Sequence, residues 1–311
     1  MRPYTMPENS DTSLGQFKTG HSTSRKLASP DSLGYQPRVR TECRVSDDMH
    51  KVSMTCFGVG DGAACPDRNH SSFLYQFSKT SLLFDCGEPI SGSFKASGLD
   101  YDSIDRIFIS HLHADHIGGF FMLIQGFWLA RRRKDLIVNM PEEGIQPMRQ
   151  MLNASCIFEE LLGFRLIYQP LKPRQAEEIN GVRVTPFLTT HLDTLRETFQ
   201  SKYPQAFEAY CFLLEAGRLR IGHSADLGAP DDLDPLLEKP LDLLVCELAH
   251  FKREDMFRYL KGREIQRIVF THVSRSYWEQ LEETRRLATQ MLGGMSFSFA
   301  HDQEVITLPE G

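Results

Sequence analysis

The sequence predicts an α/β domain in which two β-sheets pack face to face with helices on their outer faces. Three observations predict it: short β-rich runs occur in both halves of the chain, helical segments separate them, and the composition can fill a large core. Of 311 residues, 41% are apolar and 24% charged, which excludes wholesale disorder and the collagen-like or coiled-coil classes. The length suits either two domains or one large α/β domain, and the unbroken alternation favours the single domain.

Residues 1–48 come first and show no sustained period of 2 or 3.6. Their first 45 positions hold 19 Ser, Thr, Pro, Gly or Asn, so the segment reads as a flexible extension without chemistry, followed by the domain at 49–311. From Val52, VSMTCFG, SFLYQF and SLLFDCG read as three strands separated by turn residues. RIFIS (106–110) is a fourth, followed by a buried apolar helix over Ile117–Arg132. That stretch carries Gln125 and ends in Arg131, Arg132, Arg133 and Lys134, so it is too short and too abruptly charged to span a bilayer, and the basic run reads as a solvated helix end. LIVNM (136–140) is a strand and Glu142–Leu152 a helix. The second half repeats the alternation, with strands VRVTPF (182–187), YCFLLEA (210–216), RLRIGH (218–223), LDLLVCE (241–247) and RIVFTH (267–272). A helix from Ser276 to Leu292 follows, and SFSFA and EVITL close the chain as a hairpin.

Net charge is −6, and the first 45 residues carry seven basic against four acidic side chains. The remainder has 28 basic and 37 acidic residues, or −9, a poor balance for gripping a phosphate backbone without regard to sequence. Seven cysteines are scattered with no C-x-x-C pair, and their number is odd, which argues against a disulfide framework and a thiolate zinc site. With no charged-then-apolar leader, the expected setting is cytoplasmic and without a membrane.

His111-Leu112-His113-Ala114-Asp115-His116 packs four metal-capable side chains into six residues directly after a strand. Alternate residues leaving a strand point to one side while the next turn points to another, so one hexapeptide can feed two adjacent metal positions. At these residues the chain resembles the metallo-β-lactamase superfamily, whose signature is H-x-H-x-D-H. The resemblance implies a four-layer αββα sandwich and identifies the remaining ligands at strand ends: Thr189-Thr190-His191, Gly222-His223-Ser224-Ala225-Asp226 and Phe270-Thr271-His272. By resemblance, His111, His113 and His191 hold one Zn²⁺, Asp115, His116 and His272 hold a second, and Asp226 bridges them. Asp115 also belongs to the implied catalytic set. Mn²⁺ or Fe suits the same donors.

Two divalent ions opposed by Asp115, Asp226 and a bridging hydroxide leave about one net positive charge, which suits anionic substrates and metal-assisted hydrolysis by that hydroxide. Asp226 stands where two-zinc β-lactamases put a cysteine or another non-bridging ligand, so a lactamase is disfavoured. Gly58-Val59-Gly60-Asp61-Gly62, with Pro66, Arg68-Asn69 and Ser71-Ser72, and Phe84-Asp85-Cys86-Gly87-Glu88 resemble the ribonuclease Z-like branch. The glycine loop lacks the crossover helix and acidic residue of a dinucleotide fingerprint and reads as structural turns. Thr271-His272-Val273-Ser274-Arg275-Ser276-Tyr277 resembles the branch's closing motif with Arg and its following small residue exchanged, which makes Ser274, Arg275 and Tyr277 candidate substrate contacts.

The branch's Gly-rich basic arm is missing. Only 34 residues separate His191 from Asp226, four basic and four acidic. The branch's further histidine, expected after a strand ending in Glu, is absent from 251–266, and His250 is its nearest substitute as a catalytic acid. Glu247 and His223 are candidate supports behind the ligands. The expected activity is a phosphodiesterase acting on an anionic small molecule or a nucleic-acid phosphodiester. A thioester or lactone hydrolase on the same metals is the alternative, and a non-catalytic binding scaffold the second. Relatives commonly form homodimers, which extends that expectation to this chain. His70 and His301 lie outside the ligand pattern and read as structural or solvated, and Phe120, Phe121, Phe127 and Trp128 as core or interface.

Overall fold

Strands buried on both faces read as continuous apolar runs, and that is how this chain builds its two sheets. The structure, a computed structural model, describes residues 52–308, so the extension expected at 1–48 lies outside the described residues. The strands are β1 (Val52–Gly58), β2 (Ser72–Phe77), β3 (Thr80–Phe84), β4 (Arg106–Phe108), β5 (Leu136–Met140), β6 (Leu166–Pro170), β7 (Glu177–Ile179), β8 (Val182–Leu188), β9 (Tyr210–Ala216), β10 (Leu219–His223), β11 (Leu243–Leu248), β12 (Ile268–Val273), β13 (Phe297–Phe299) and β14 (Glu304–Leu308). The helices are α1 (Ile90–Ser97), α2 (Ala114–Ile117), α3 (Phe120–Leu129), α4 (Glu142–Ala154), α5 (Glu159–Leu162), α6 (Asp193–Phe199), α7 (Arg253–Leu260), α8 (Arg275–Glu279) and α9 (Leu281–Leu292).

The sheets have the orders β14-β1-β2-β3-β4-β5-β6 and β13-β12-β11-β10-β9-β8-β7. In each, an antiparallel run gives way to a parallel one, at β3–β4 in the first and β10–β11 in the second. The strand period of two sorts side chains between layers. Leu82 and Phe84 of β3 face the other sheet; Phe84 stacks on Phe108 of the neighbouring β4 at 4.9 Å and meets Phe212 of the opposite sheet edge-on at 5.1 Å. Leu83 between them faces outward onto Phe94 of α1 and Phe127 of α3. Leu243 and Val245 of β11 face inward, Leu244 and Cys246 outward towards Met256 and Phe257 of α7. The result is the four-layer αββα sandwich. Truncating an inter-sheet phenylalanine such as Phe84 to alanine would cost about 3–5 kcal/mol.

Four local expectations are corrected. The helix over 117–132 breaks at Gly118-Gly119 because the chain there lies against the end of β3: a Cβ on Gly119 would sit 2.7 Å from Ile90 Cγ2 and 2.8 Å from the Gly87 carbonyl. This leaves α2 as a separate single turn carrying Asp115 and His116. Arg132 is not solvated but 2% exposed. Its Nε donates to the Lys134 carbonyl at 2.7 Å, Nη2 to those of Ile104 (2.7 Å) and Asp135 (3.1 Å), and Nη1 to that of Tyr101, with Phe127 and Phe164 packed on its plane. The helix over 276–292 is two, because Gln280 leaves helical geometry at φ −116°, ψ 38°. The closing strands form no hairpin: β13 joins β12 in parallel, whereas β14 crosses to the other sheet and pairs antiparallel with β1.

Among the described residues no helix is long and apolar enough to cross a membrane, and the cysteines are free thiols.

Candidate metal centre

Five strand ends meet at one rim of the sandwich. After β4 come His111, His113 and the α2 turn with Asp115 and His116; after β8, His191; after β10, Asp226. Near the end of β11 stand Glu247 and His250, and at the end of β12 stands His272. Ligand groups at the carboxyl ends of strands follow from sheets whose strands run towards the same rim. Two residues of these strand-end loops sit in backbone that ordinary residues rarely adopt. His272, at φ 45°, is the extra residue in β12 where Glu247 pairs with Thr271 and Leu248 with Val273, a bulge that re-aims its side chain. Ala225, also at φ 45°, turns the chain immediately before Asp226.

All seven residues that the resemblance singled out fall in one cluster. His111, His113, His191 and Asp226 form one group, and Asp115, His116, His272 and Asp226 a second, the donor atoms of each lying within 4.8 Å of one another. Asp226, 2% exposed, belongs to both. Its Oδ2 is 3.3 Å from His116 Nε2 and 3.7 Å from the Nε2 atoms of His111, His191 and His250, and its Oδ1 is 3.6 Å from His272 Nε2. His113 Nδ1 lies 3.2 Å from His191 Nε2, and Asp115 Oδ2 lies 3.2 Å from His272 Nε2 and 3.5 Å from His116 Nε2.

The donors have the spacing of metal ligands. A tetrahedral ion held at about 2.1 Å sets its ligands about 3.4 Å apart, and these donors are spaced accordingly. His111 Nε2, His116 Nε2 and Asp226 Oδ1 are buried without a hydrogen-bond partner, a costly arrangement for a chain with nothing to bind there.

Buried carboxylates hold these imidazoles from behind. Asp85 Oδ2 faces His116 Nδ1 at 2.7 Å and accepts from Ser110 Oγ at 2.9 Å, while its Oδ1 accepts Ser110 N at 2.8 Å. Glu247, 1% exposed, accepts Leu227 N (2.7 Å), Ala249 N (2.8 Å) and His250 Nδ1 (2.8 Å). Asp85 was not singled out by the sequence reasoning as a support, although the F-D-C-G-E motif containing it was. The His223 side chain, expected behind the ligands, hydrogen-bonds none of them; its Nδ1 meets Tyr75 Oη at 2.9 Å inside a box of Phe73, Phe84 and Phe212, and burial pushes its pKa down to about 4.

Burial and neighbouring charge divide the imidazoles. Burial holds His111 well below the usual range, lowers His113, and pushes His191 down to about 4, so the first group is three neutral imidazoles and a carboxylate. For His116, burial is overridden by the Asp226 and Asp85 carboxylates, which raise it well above the usual value; for His272, burial is overridden by Asp226 and the bond to Asp115. Burial also opposes ionisation of Asp115 and Asp226, and their histidine partners nevertheless hold both well below the carboxylate range. His250, its side chain 32% exposed, is lowered by burial and raised more strongly by Glu247, to about 9.

The proposed substrate contacts are engaged elsewhere. The Arg275 guanidinium pairs with Glu279 at 2.8 Å while its backbone N–H donates to Asp61 Oδ2 at 2.7 Å. The Tyr277 ring lies under Arg253 at 4.9 Å, and Ser274 Oγ bonds Ser276 Oγ at 3.1 Å.

The family of the anti-Pycsar protein Apyc1 matches residues 52–247. A ribonuclease Z of Archaeoglobus fulgidus is 29% identical over 139 residues, 45% of this chain and 44% of that protein, so the chain matches less than half the length of this curated relative. The metallo-β-lactamase fold protein YhfI of Bacillus subtilis superposes with a TM-score of 0.68 at 18% identity, covering 83% of this chain and 100% of that one. Human tRNase Z, short form, gives 0.63 at 19% identity, covering 83% and 99%. With its fold, its strand-end ligand cluster and a family match over more than half its length, the chain belongs to the anti-Pycsar protein Apyc1 family and has the metallo-β-lactamase fold.

Proposed function

We propose that this chain is a metal-dependent hydrolase that binds two divalent cations, zinc foremost, and cleaves a phosphodiester. The observation that carries the proposal is the carboxylate of Asp226 shared by two groups of donors at metal-ligand spacing. His111, His113 and His191 would hold one ion, Asp115, His116 and His272 the other, with Asp226 between them. Such ions, when bound, supply a hydroxide at neutral pH and stabilise negative charge on a phosphoryl oxygen.

The chain's own part is to hold, orient and deliver protons. Glu247 keeps a proton on His250 at neutral pH, and His250 Nε2 faces the cluster 3.7 Å from Asp226, which supports a role for His250 in protonating a departing alkoxide. An unperturbed histidine near 6.5 would be mostly deprotonated at pH 7. The buried Glu247 is therefore what keeps this acid loaded. The ribonuclease Z likeness supports phosphodiester chemistry, and the 34 balanced residues between His191 and Asp226 favour a substrate held at the centre itself over a long nucleic acid gripped by an arm.

The test is metal analysis of the purified protein followed by a panel of a chromogenic phosphodiester, an acyl thioester, a lactone and a β-lactam. Bound metal with phosphodiester turnover supports the proposal. Turnover of the thioester or lactone alone would keep the metal centre and replace the substrate class, and absence of bound metal would overturn both.

A further inference from the structure

Asp232 lies outside both donor groups, in the short 3₁₀ turn Pro230–Leu233 after β10, yet one of its oxygens touches two of the three loops that supply the first group, those of His191 and Asp226. Asp232 Oδ2 accepts Thr190 N and Thr190 Oγ1, each at 3.0 Å, immediately before His191. The same oxygen accepts Gly228 N at 2.8 Å and Ala229 N at 3.3 Å, just past Asp226. The two loops also meet directly, with Thr189 Oγ1 donating to the Asp226 carbonyl at 3.0 Å. They approach so closely that a Cβ on Gly228 would fall 2.3 Å from Thr190 Oγ1. Nothing comparable links Asp232 to His116 or His272; the hydrogen bonds behind His116 run instead to Asp85, on the other sheet.

We infer that Asp232 is a positioning residue that fixes the separation of His191 and Asp226, and so sets the affinity of the first metal position more than that of the second, which shares Asp226 but not His191 and has Asp85 behind His116. The inference rests on the two-position reading above. A carboxylate oxygen that gathers four donors from two loops replaces four separate solvent contacts by one rigid junction, and donors must be held within fractions of an ångström for a tetrahedral ion. Removing such a support typically weakens a metal site about 10–100-fold.

The experiment titrates Co²⁺ into metal-stripped full-length protein and follows the visible spectrum, which reports coordination independently of turnover. Wild type takes up two ions. Asp232→Ala is expected to weaken one ion about 10–100-fold and the other distinctly less, with a difference spectrum matching that of His113→Ala and not that of His116→Ala. Asp232→Asn, which retains an acceptor oxygen, restores most of the affinity, as a merely destabilising change would not. Thr190→Val removes one donor of the four and moves the same ion in the same direction by less; should Asp232→Ala fail to fold, this variant carries the test. Wild-type affinities and spectra in Asp232→Ala, or in Thr190→Val where Asp232→Ala does not fold, overturn the inference with the metal centre intact. Equal weakening of both ions overturns its selectivity, whereas failure of wild type to bind cobalt refutes the two-position reading itself.

Discussion

Asp85→Asn isolates the carboxylate behind His116. The structure gives Asp85 three bonds, to His116 Nδ1 at 2.7 Å and to Ser110 N and Oγ at 2.8 and 2.9 Å, all buried. Asp85 also sits at φ 59°, a conformation that asparagine adopts more readily than alanine, so Asn is the substitution that strains the backbone least. With the Asn oxygen in the Oδ1 place the bond from Ser110 N is kept. The NH₂ in the Oδ2 place then faces Ser110 Oγ, which can turn to accept, and His116 Nδ1, which must become an acceptor, so the imidazole proton moves to Nε2. That nitrogen is the one directed at Asp115 and Asp226, and a protonated nitrogen cannot bind a cation. The expected loss is about 10–100-fold in affinity for one ion, or about 1.4–2.7 kcal/mol, with the other ion little changed. Titration of metal-stripped protein with Zn²⁺ against a chromogenic chelator reads both steps separately. Two unchanged affinities in a folded Asp85→Asn protein would refute the claim that this carboxylate sets the His116 tautomer.

Further consequences follow from the same geometry. Because Asp226 and Asp85 hold His116 well above the usual imidazole range in the metal-free chain, and Asp226 and Asp115 raise His272, cation binding must compete with protons there. Affinity at the second position should therefore rise with pH through the neutral range, and calorimetry in buffers of different ionisation enthalpy should detect proton release; absence of release would contradict it. His250→Ala should keep both metals and slow hydrolysis of a diester with an alkoxide leaving group by about 10²–10⁴, while sparing a nitrophenolate that needs no proton. Equal losses on both substrates would remove the acid role. Arg132→Met strands the carbonyls of Tyr101, Ile104, Lys134 and Asp135 and should lower stability in urea unfolding by on the order of 3 kcal/mol, with activity per folded molecule unchanged. A loss within error of zero would mean that those carbonyls find other partners.

The two-sheet architecture was legible because strands such as SLLF and LLVCE carry near-continuous apolar runs, as strands buried on both faces do. The ligands were legible because metal chemistry confines them to His and Asp at strand ends. Short elements escaped for physical reasons. β7 is three residues, Glu-Glu-Ile, with no apolar pattern to read, and β6 ends in proline. The helix α1, ISGSFKAS, is rich in poor helix formers and exists because Ile90 and Phe94 anchor it on the first sheet. Long-range pairing was equally hidden: EVITL looks like the second arm of a hairpin, and only the register Val52 to Leu308 shows that it closes the other sheet. Charge alone misled at Arg132, since four carbonyl acceptors at one spot cannot be seen in a run of basic letters. The supports Asp85 and Asp232 were invisible for a related reason, because what distinguishes them from other acidic residues is the set of donors that folding brings to them.

The central claim is that two cations shared by Asp226 drive phosphodiester hydrolysis, and stepwise reconstitution tests it most directly. Metal-stripped protein receives Zn²⁺ in increments while hydrolysis of a chromogenic phosphodiester is recorded at each loading, alongside Asp226→Ala. The account predicts that turnover climbs to a plateau at two equivalents of metal per chain and that Asp226→Ala, still folded, neither retains two ions nor recovers more than a trace of activity. A plateau at one equivalent, no turnover at any loading, or an Asp226→Ala protein with two ions and normal rates would contradict it.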